Sequence, residues 1–316
     1  MNDQLKRRIL TSHFVRKTIR ISKIVVLPGF DKLPIYYVAK FFIKGIKEGL
    51  LDTKASSMAF RFFMALFPTL IFLLTLLPYI PIPNFKTELL KLLEDLLPES
   101  GYLFLEETVI KLVSDTDGGL LSFGFLFAIF LATNGIDSML LAFEDSINTS
   151  HNRNFFHKKL LSVEILFILT ILIIIAIAAI LFSVYLVNFV LEKGSIASIL
   201  LIVGKWLIMA ALGFFAISFI YYIGGNRKLK WRFFSAGSTL ATLMVLLVSF
   251  GFGYYVDNFA NYDKIYGSIG TIIVIMLWIY FNSYVLLVGF ELNASIQQAG
   301  SAKALEDTLE KEEGII

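Results

Sequence analysis

Ile165 to Val190 reads ILFILTILIIIAIAAILFSVYLVNFV, an unbroken run without one Lys, Arg, Asp or Glu. A bilayer core about 30 Å thick is crossed by about 20 such residues in a helix, so this stretch is long enough to span. Five more apolar stretches flank it, at residues 58–80, 120–143, 206–223, 233–256 and 267–290. Together they predict an all-α integral membrane protein of six transmembrane helices. Composition agrees: the 316 residues are 57% hydrophobic and 17% charged, with mean hydropathy +0.76, against about 45–50% and about 25% in soluble domains. With no Cys and three His, a disulfide framework or thiolate zinc site is excluded and an imidazole-rich metal site is disfavoured. A net charge of +3 is too small to mark a nucleic-acid binder.

The charges sit between the spans and set the expected orientation. Residues 1–54 hold twelve Lys and Arg. The 144–162 loop holds Arg153, Lys158 and Lys159, and the 225–232 loop holds Arg227, Lys228, Lys230 and Arg232. The alternate loops are poor in cations: 81–119 has three lysines against eight acids, and 257–264 has only Lys264. By the positive-inside rule the basic segments and both termini are expected in the cytoplasm. The charged start, broken at Pro28 and Gly29, does not read as a cleaved signal peptide. Three regions follow: a basic cytoplasmic or interfacial arm at 1–54, a six-span domain at 55–298, and an acidic cytoplasmic tail at 299–316.

Two segments read as helices outside the spans. In residues 35–50, Lys40, Lys44 and Lys47 fall on one face and Phe42, Ile46 and Leu50 on another. That amphipathic helix is expected on the anionic cytoplasmic leaflet, with membrane lipids and their anionic headgroups as partners rather than nucleic acid. The 81–119 loop is predicted to form an extracytoplasmic helical hairpin, its first apolar face running from Leu89 to Leu97 and ending at Pro98.

Ionisable residues at membrane depth normally face a bundle interior or a wet cavity. Arg61, Asp137 and Glu291 lie near the cytoplasmic ends of spans 1, 2 and 6. Asn134 shares a helix face with Asp137, as Tyr280 and Tyr284 do with Glu291. These six are expected either to pair between helices, to line a polar chamber for a headgroup, or to relay a proton. Pro68 removes a backbone donor in mid-span and predicts a bend, with a hinge as the functional reading. Gly251, Gly253, Gly267 and Gly270 are read as points of close helix approach. Lys205 is expected at the outer boundary of the fourth span, beside an interfacial Trp206. No P-loop, dinucleotide glycine pattern, zinc-protease helix or serine elbow is present, and no catalytic residue, metal ligand or cofactor is expected.

Three ordered blocks carry a resemblance: KASSMAFRFFMALFPTL at Lys54–Leu70, TNGIDSMLLAF around Asp137, and IYGSIGTIIVIMLWIYFNSYVLLVGFELNASI at Ile265–Ile296. From about residue 40 to 298 the chain resembles the YihY/virulence factor BrkB family. Ala59, Pro68, Asp137, Tyr266, Gly267, Trp278, Tyr280, Gly289 and Glu291 match its recurring positions, whereas Arg61 stands where that pattern has an apolar or aromatic residue. The resemblance implies a bacterial inner-membrane protein with about six spans and a role in the cell envelope or in lipid handling. It also brings an old ribonuclease BN label that is regarded as a misassignment. The expectation is a non-enzymatic protein that binds or translocates a lipid-like amphipathic molecule. The alternatives are a scaffold or accessory subunit of an envelope complex and, less favoured, a ribonuclease.

Overall fold

The computed structural model describes residues 17, 20–76, 118–146, 155–185, 196–225, 233–259 and 268–313. Among them the secondary structure is helical, apart from one isolated antiparallel bridge between Val26 and Pro34. The main helices are α1 (Ile35–Glu48), α2 (Leu51–Leu76), α3 (Gly118–Ser146), α4 (Phe155–Tyr185), α5 (Ile196–Gly224), α6 (Ala236–Phe259) and α7 (Ser268–Glu313). Five of the described helices are long and apolar enough to cross a membrane, over Ser122–Ser146, Phe156–Ile180, Ile199–Gly224, Ala236–Val256 and Ile272–Leu305. The first expected span, 58–80, falls on α2 but runs past Leu76 out of the described residues, and the expected hairpin lies outside them up to Asp117.

Each of α2 to α6 packs on its successor, and α7 packs on both α6 and α2, so these six helices close a ring. Neighbours alternate in direction. Ser57 meets Ser138 at 3.3 Å and the rings of Phe72 and Phe125 lie 5.0 Å apart, which fixes α2 and α3 as an antiparallel pair. The core is concentrated at one end, called here the arm end, where α2 starts and α3 finishes. Met58, Ile136, Phe143, Ile165, Tyr221 and Phe290 are fully or almost fully buried there. Farther along, Ile173, Ile174, Leu200, Leu247 and Phe250 are exposed. A bilayer covers such side chains with acyl tails, so the far half needs little protein core.

Helix boundaries differ from the apolar windows for one physical reason: a hydropathy window stops at a charge, but a helix does not. α4 begins at Phe155 instead of 165, which moves Lys158 and Lys159 from the expected loop onto the start of a helix. α5 begins at Ile196, so Lys205 lies within it and not at a helix boundary; its ammonium sits 5.4 Å from the Trp206 ring centre. α7 runs 46 residues without a break, well beyond the apolar window at 267–290.

The arm-end helix starts are tied down locally. Ser235 caps α6 through a reciprocal box: its Oγ accepts the Ser238 amide at 3.1 Å, while Ser238 Oγ accepts the Ser235 amide at 3.2 Å. Between α1 and α2, Gly49 donates to the Gly45 carbonyl at 2.7 Å and Leu50 takes a φ of 50°, so the chain turns sharply.

α1 sorts its faces as the sequence predicts, with Lys40, Lys44 and Lys47 exposed. The apolar face, however, meets protein. Phe42 and Ile46 pack against the main core, and Val38 is buried with Phe30, Leu33, Leu292 and Ile296 in a second, smaller cluster. The expected interfacial helix is therefore docked on α7, and Leu50, the third residue of the expected stripe, is exposed.

Candidate functional site

The six polar residues singled out in the sequence fall among different partners. On α3, Asn134 and Asp137 turn toward α4, where Lys159 Nζ lies 2.8 Å from Asn134 Oδ1 and 2.8 Å from Asp137 Oδ2. Ser162, one turn on, donates to the other Asp137 oxygen. The ammonium also sits 5.7 Å from the Phe130 ring centre. This arrangement balances the Asp137 charge without Arg61 or Glu291. Both side chains of the pair keep partial access, 29% for Lys159 and 23% for Asp137, so the cluster opens toward the surface of the bundle.

Glu291 is buried elsewhere, at 3% exposure, against α1. A Cβ at Gly45 would overlap its carboxylate, so glycine is what allows α1 to approach. Ser146, the last residue of α3, donates to the Ala142 carbonyl at 3.2 Å, and its hydroxyl and the Lys54 charge of α2 both act on the carboxylate. Lys54 in turn pairs with Asp145 at 3.5 Å, and Lys158 with Glu144 at 2.7 Å.

Where α3 meets α7 there is solid packing instead of a hollow. Phe143 and Phe290 stack with centroids 3.8 Å apart, and Tyr221 stands edge-on to both at 5.6 and 5.5 Å. Tyr280 and Tyr284 pack against this core with their rings 6.3 Å apart. Arg61 is exposed on α2, and Pro68 is buried within a helix that continues to Leu76. Asp137 and Glu291 thus sit in two separate places, an α3–α4 ion-pair cluster and a carboxylate site under α1. The cause is Lys159, which the longer α4 brings within reach of Asp137.

The arm end is closed further by the α6–α7 crossing. Asn293 Oδ1 accepts the Gly237 amide at 2.8 Å, and its Nδ2 donates to Ser235 Oγ at 2.8 Å. Tyr221 Oη donates to the Leu286 carbonyl at 2.6 Å. A Cβ at Gly289 would stand 2.6 Å from Tyr221 Oη, so this glycine is a true point of close approach.

Between the far halves of the same two helices lies a cavity of about 500 Å³, lined by Val248, Gly251, Phe252 and Tyr255 of α6 and by Leu277 and Phe281 of α7. The volume falls within the roughly 300–1,000 Å³ of small-molecule sites, and the described lining residues carry no charge. Gly251 and Gly253, expected at tight crossings, have nothing within 4 Å of a built Cβ. Two features were thus missed in the sequence. Lys159 was hidden by the loop reading, although its spacing of three from Ser162 was a signal. The cavity had no signal, because helix splay is set by tertiary packing.

Among the described residues, no three His, Asp or Glu side chains come together as a metal site. What the geometry offers among the described residues is an apolar recess open at the bundle surface, beside an arm end where the core is concentrated.

The sequence profile of the virulence factor BrkB family matches residues 42–313. The chain is 30% identical over 250 residues to a Bacillus subtilis (strain 168) protein, YfkH, named as ribonuclease-like, covering 78% of this chain and 90% of that one. It is 35% identical over 80 residues to a UPF0761 membrane protein of Tolumonas auensis, covering 25% of this chain and 26% of that one. A UPF0761 membrane protein of Stenotrophomonas maltophilia (strain K279a) is 31% identical over 100 residues, covering 29% of this chain and 24% of that one. No solved structure matches. With apolar helices of spanning length and a profile match over most of its sequence, this chain is a membrane protein of the virulence factor BrkB family.

Proposed function

We propose that the protein binds an amphipathic, lipid-like component of the bacterial envelope by its long apolar chain, in the inner membrane and without catalysing a reaction. The observation that carries this reading is the uncharged cavity of about 500 Å³ between α6 and α7. It lies in the half of the bundle where side chains are left to the bilayer, so an acyl chain enters sideways from the membrane and leaves no polar group unsatisfied. Among the described lining residues Tyr255, nearest the far end of α6, offers the one hydroxyl. The arm end faces the cytoplasm, because the sequence leading into α2, residues 1–54, holds twelve Lys and Arg.

Transport is the extension of this reading. The close packing of Phe143, Tyr221 and Phe290 seals the arm end, so a headgroup crosses only if α2 shifts, with Pro68 as the candidate hinge. The experiment uses purified protein in vesicles containing a headgroup-labelled phosphatidylglycerol, with binding and crossing measured separately. Gly251→Phe, which fills the cavity from a position with open space, is expected to abolish specific binding while leaving thermal unfolding unchanged. Equal binding by this variant and the wild type contradicts the proposal. The same preparations incubated with RNA and Mg²⁺ test the non-enzymatic part, and cleavage above that of an unrelated membrane protein contradicts it.

A further inference from the structure

α2 carries a charge that nothing else among the described residues neutralises. Phe60, Met64 and Phe67 are exposed at spacings of four and three, a single helical stripe, and Arg61 is exposed beside them. Lys54, Lys158 and Lys159 have carboxylates at 3.5, 2.7 and 2.8 Å, whereas Arg61 has no ion pair among the described residues.

The helix register gives its depth. Ser57 meets Ser138, and Phe62 lies against Gly135, so Arg61 stands level with the turn from Asn134 to Asp137. That is about 10 Å beyond Lys54 along α2, at ~1.5 Å per residue. α2 begins at the arm end, and helical side chains lean toward the helix N-terminus, so the guanidinium leans back toward the arm-side surface. Its long apolar stem allows the charged head to reach the headgroup level while the neighbouring rings stay among acyl chains.

A guanidinium in this setting is matched by a phosphate, whose oxygens accept two parallel N–H bonds from its planar fork. The apolar stripe takes the chains attached to that phosphate. We propose that Arg61, with Phe60, Met64 and Phe67, forms a binding site for one phosphate-bearing diacyl lipid of the arm-side leaflet. The site shares no residue with the α6–α7 cavity and does not rest on it.

The test is native mass spectrometry of the full chain, purified in mild detergent and titrated with phosphatidylglycerol or with a diacylglycerol of the same chains. The wild type is expected to retain phosphatidylglycerol over diacylglycerol. Arg61→Gln is expected to lose one phosphatidylglycerol adduct and about tenfold or more in affinity, the equivalent of one charge-assisted hydrogen bond. Arg61→Lys, which keeps the charge and loses the fork, is expected to fall between the two. Lys303→Gln, an exposed change near the end of α7, is expected to leave that adduct in place. Unchanged phosphatidylglycerol retention in Arg61→Gln overturns the proposal, as does an equal loss of diacylglycerol. A dimer in the wild type that dissociates in Arg61→Gln at constant lipid count also overturns it, because the occupant is then a second copy of the chain.

Discussion

Lys159 Nζ bridges Asn134 Oδ1 and Asp137 Oδ2 at 2.8 Å each, joining α4 to the acid that lies deepest on α3. A cation near a helix N-terminus is opposed by the helix dipole, so Lys159 depends on this partner more than a mid-helix lysine would. Asp137→Ala and Lys159→Ala are each expected to lower the unfolding temperature. In a double-mutant cycle the pair is expected to show a coupling of about 1 kcal/mol, as contacting charged residues do. Additive losses in thermal unfolding assays would show that the pair contributes nothing specific.

Glu291 is seated because Gly45 has no side chain. Gly45→Ala puts a methyl group into the carboxylate and is expected to undock α1 from α7, at a cost of about 1–3 kcal/mol typical of overpacking. Exchange of the α1 amides should rise accordingly. Adding Glu291→Ala to Gly45→Ala is expected to restore part of the loss, because the clash is removed. A Gly45→Ala chain as stable and protected as the wild type would refute the docked position of α1.

Asn293 serves α6 twice, as acceptor for the Gly237 amide and donor to Ser235. Asn293→Leu leaves a buried backbone donor without its partner and is expected to cost about 1–3 kcal/mol. Asn293→Asp keeps the acceptor and is expected to cost less. The measurement is thermal unfolding of the three proteins side by side, and a larger loss for Asp than for Leu contradicts the assigned roles.

The chain has no cysteine, so single cysteines report orientation without background. Lys303→Cys, on the exposed tail of α7, is expected to react with an impermeant maleimide only after cells are opened. Gly119→Cys, at the far end of α3, is expected to react in intact cells. The reverse pattern contradicts the cytoplasmic assignment of the arm end.

Much of the fold was legible because bilayer thickness dictates helix length. The apolar windows predict α3, α4, α5, α6 and the membrane part of α7, and the spacing of Lys40, Lys44 and Lys47 predicts the exposed face of α1. Partners were less legible. Asp137 is paired between helices with part of its side chain still accessible, and Glu291 is buried. Hydropathy says only that a carboxylate must find company, not which cation will provide it. Lys159 became available through a helix start that no apolar window registers. Likewise, Gly45 and Glu291 lie far apart in the sequence, and only the docking of α1 makes one necessary to the other.

An apolar chain held between α6 and α7 is within reach of a lipid-borne crosslinker. Photo-crosslinking with a phosphatidylglycerol carrying a diazirine in its acyl chain, mapped by peptide mass spectrometry, addresses it most directly. Adducts are expected to concentrate at Val248, Phe252, Tyr255, Leu277 and Phe281 and to be lost in Gly251→Phe. Adducts as frequent on the exposed face of α4, at Ile173, Ile174 and Ile177, and unaffected by Gly251→Phe, would mean that the cavity holds nothing the surrounding bilayer does not.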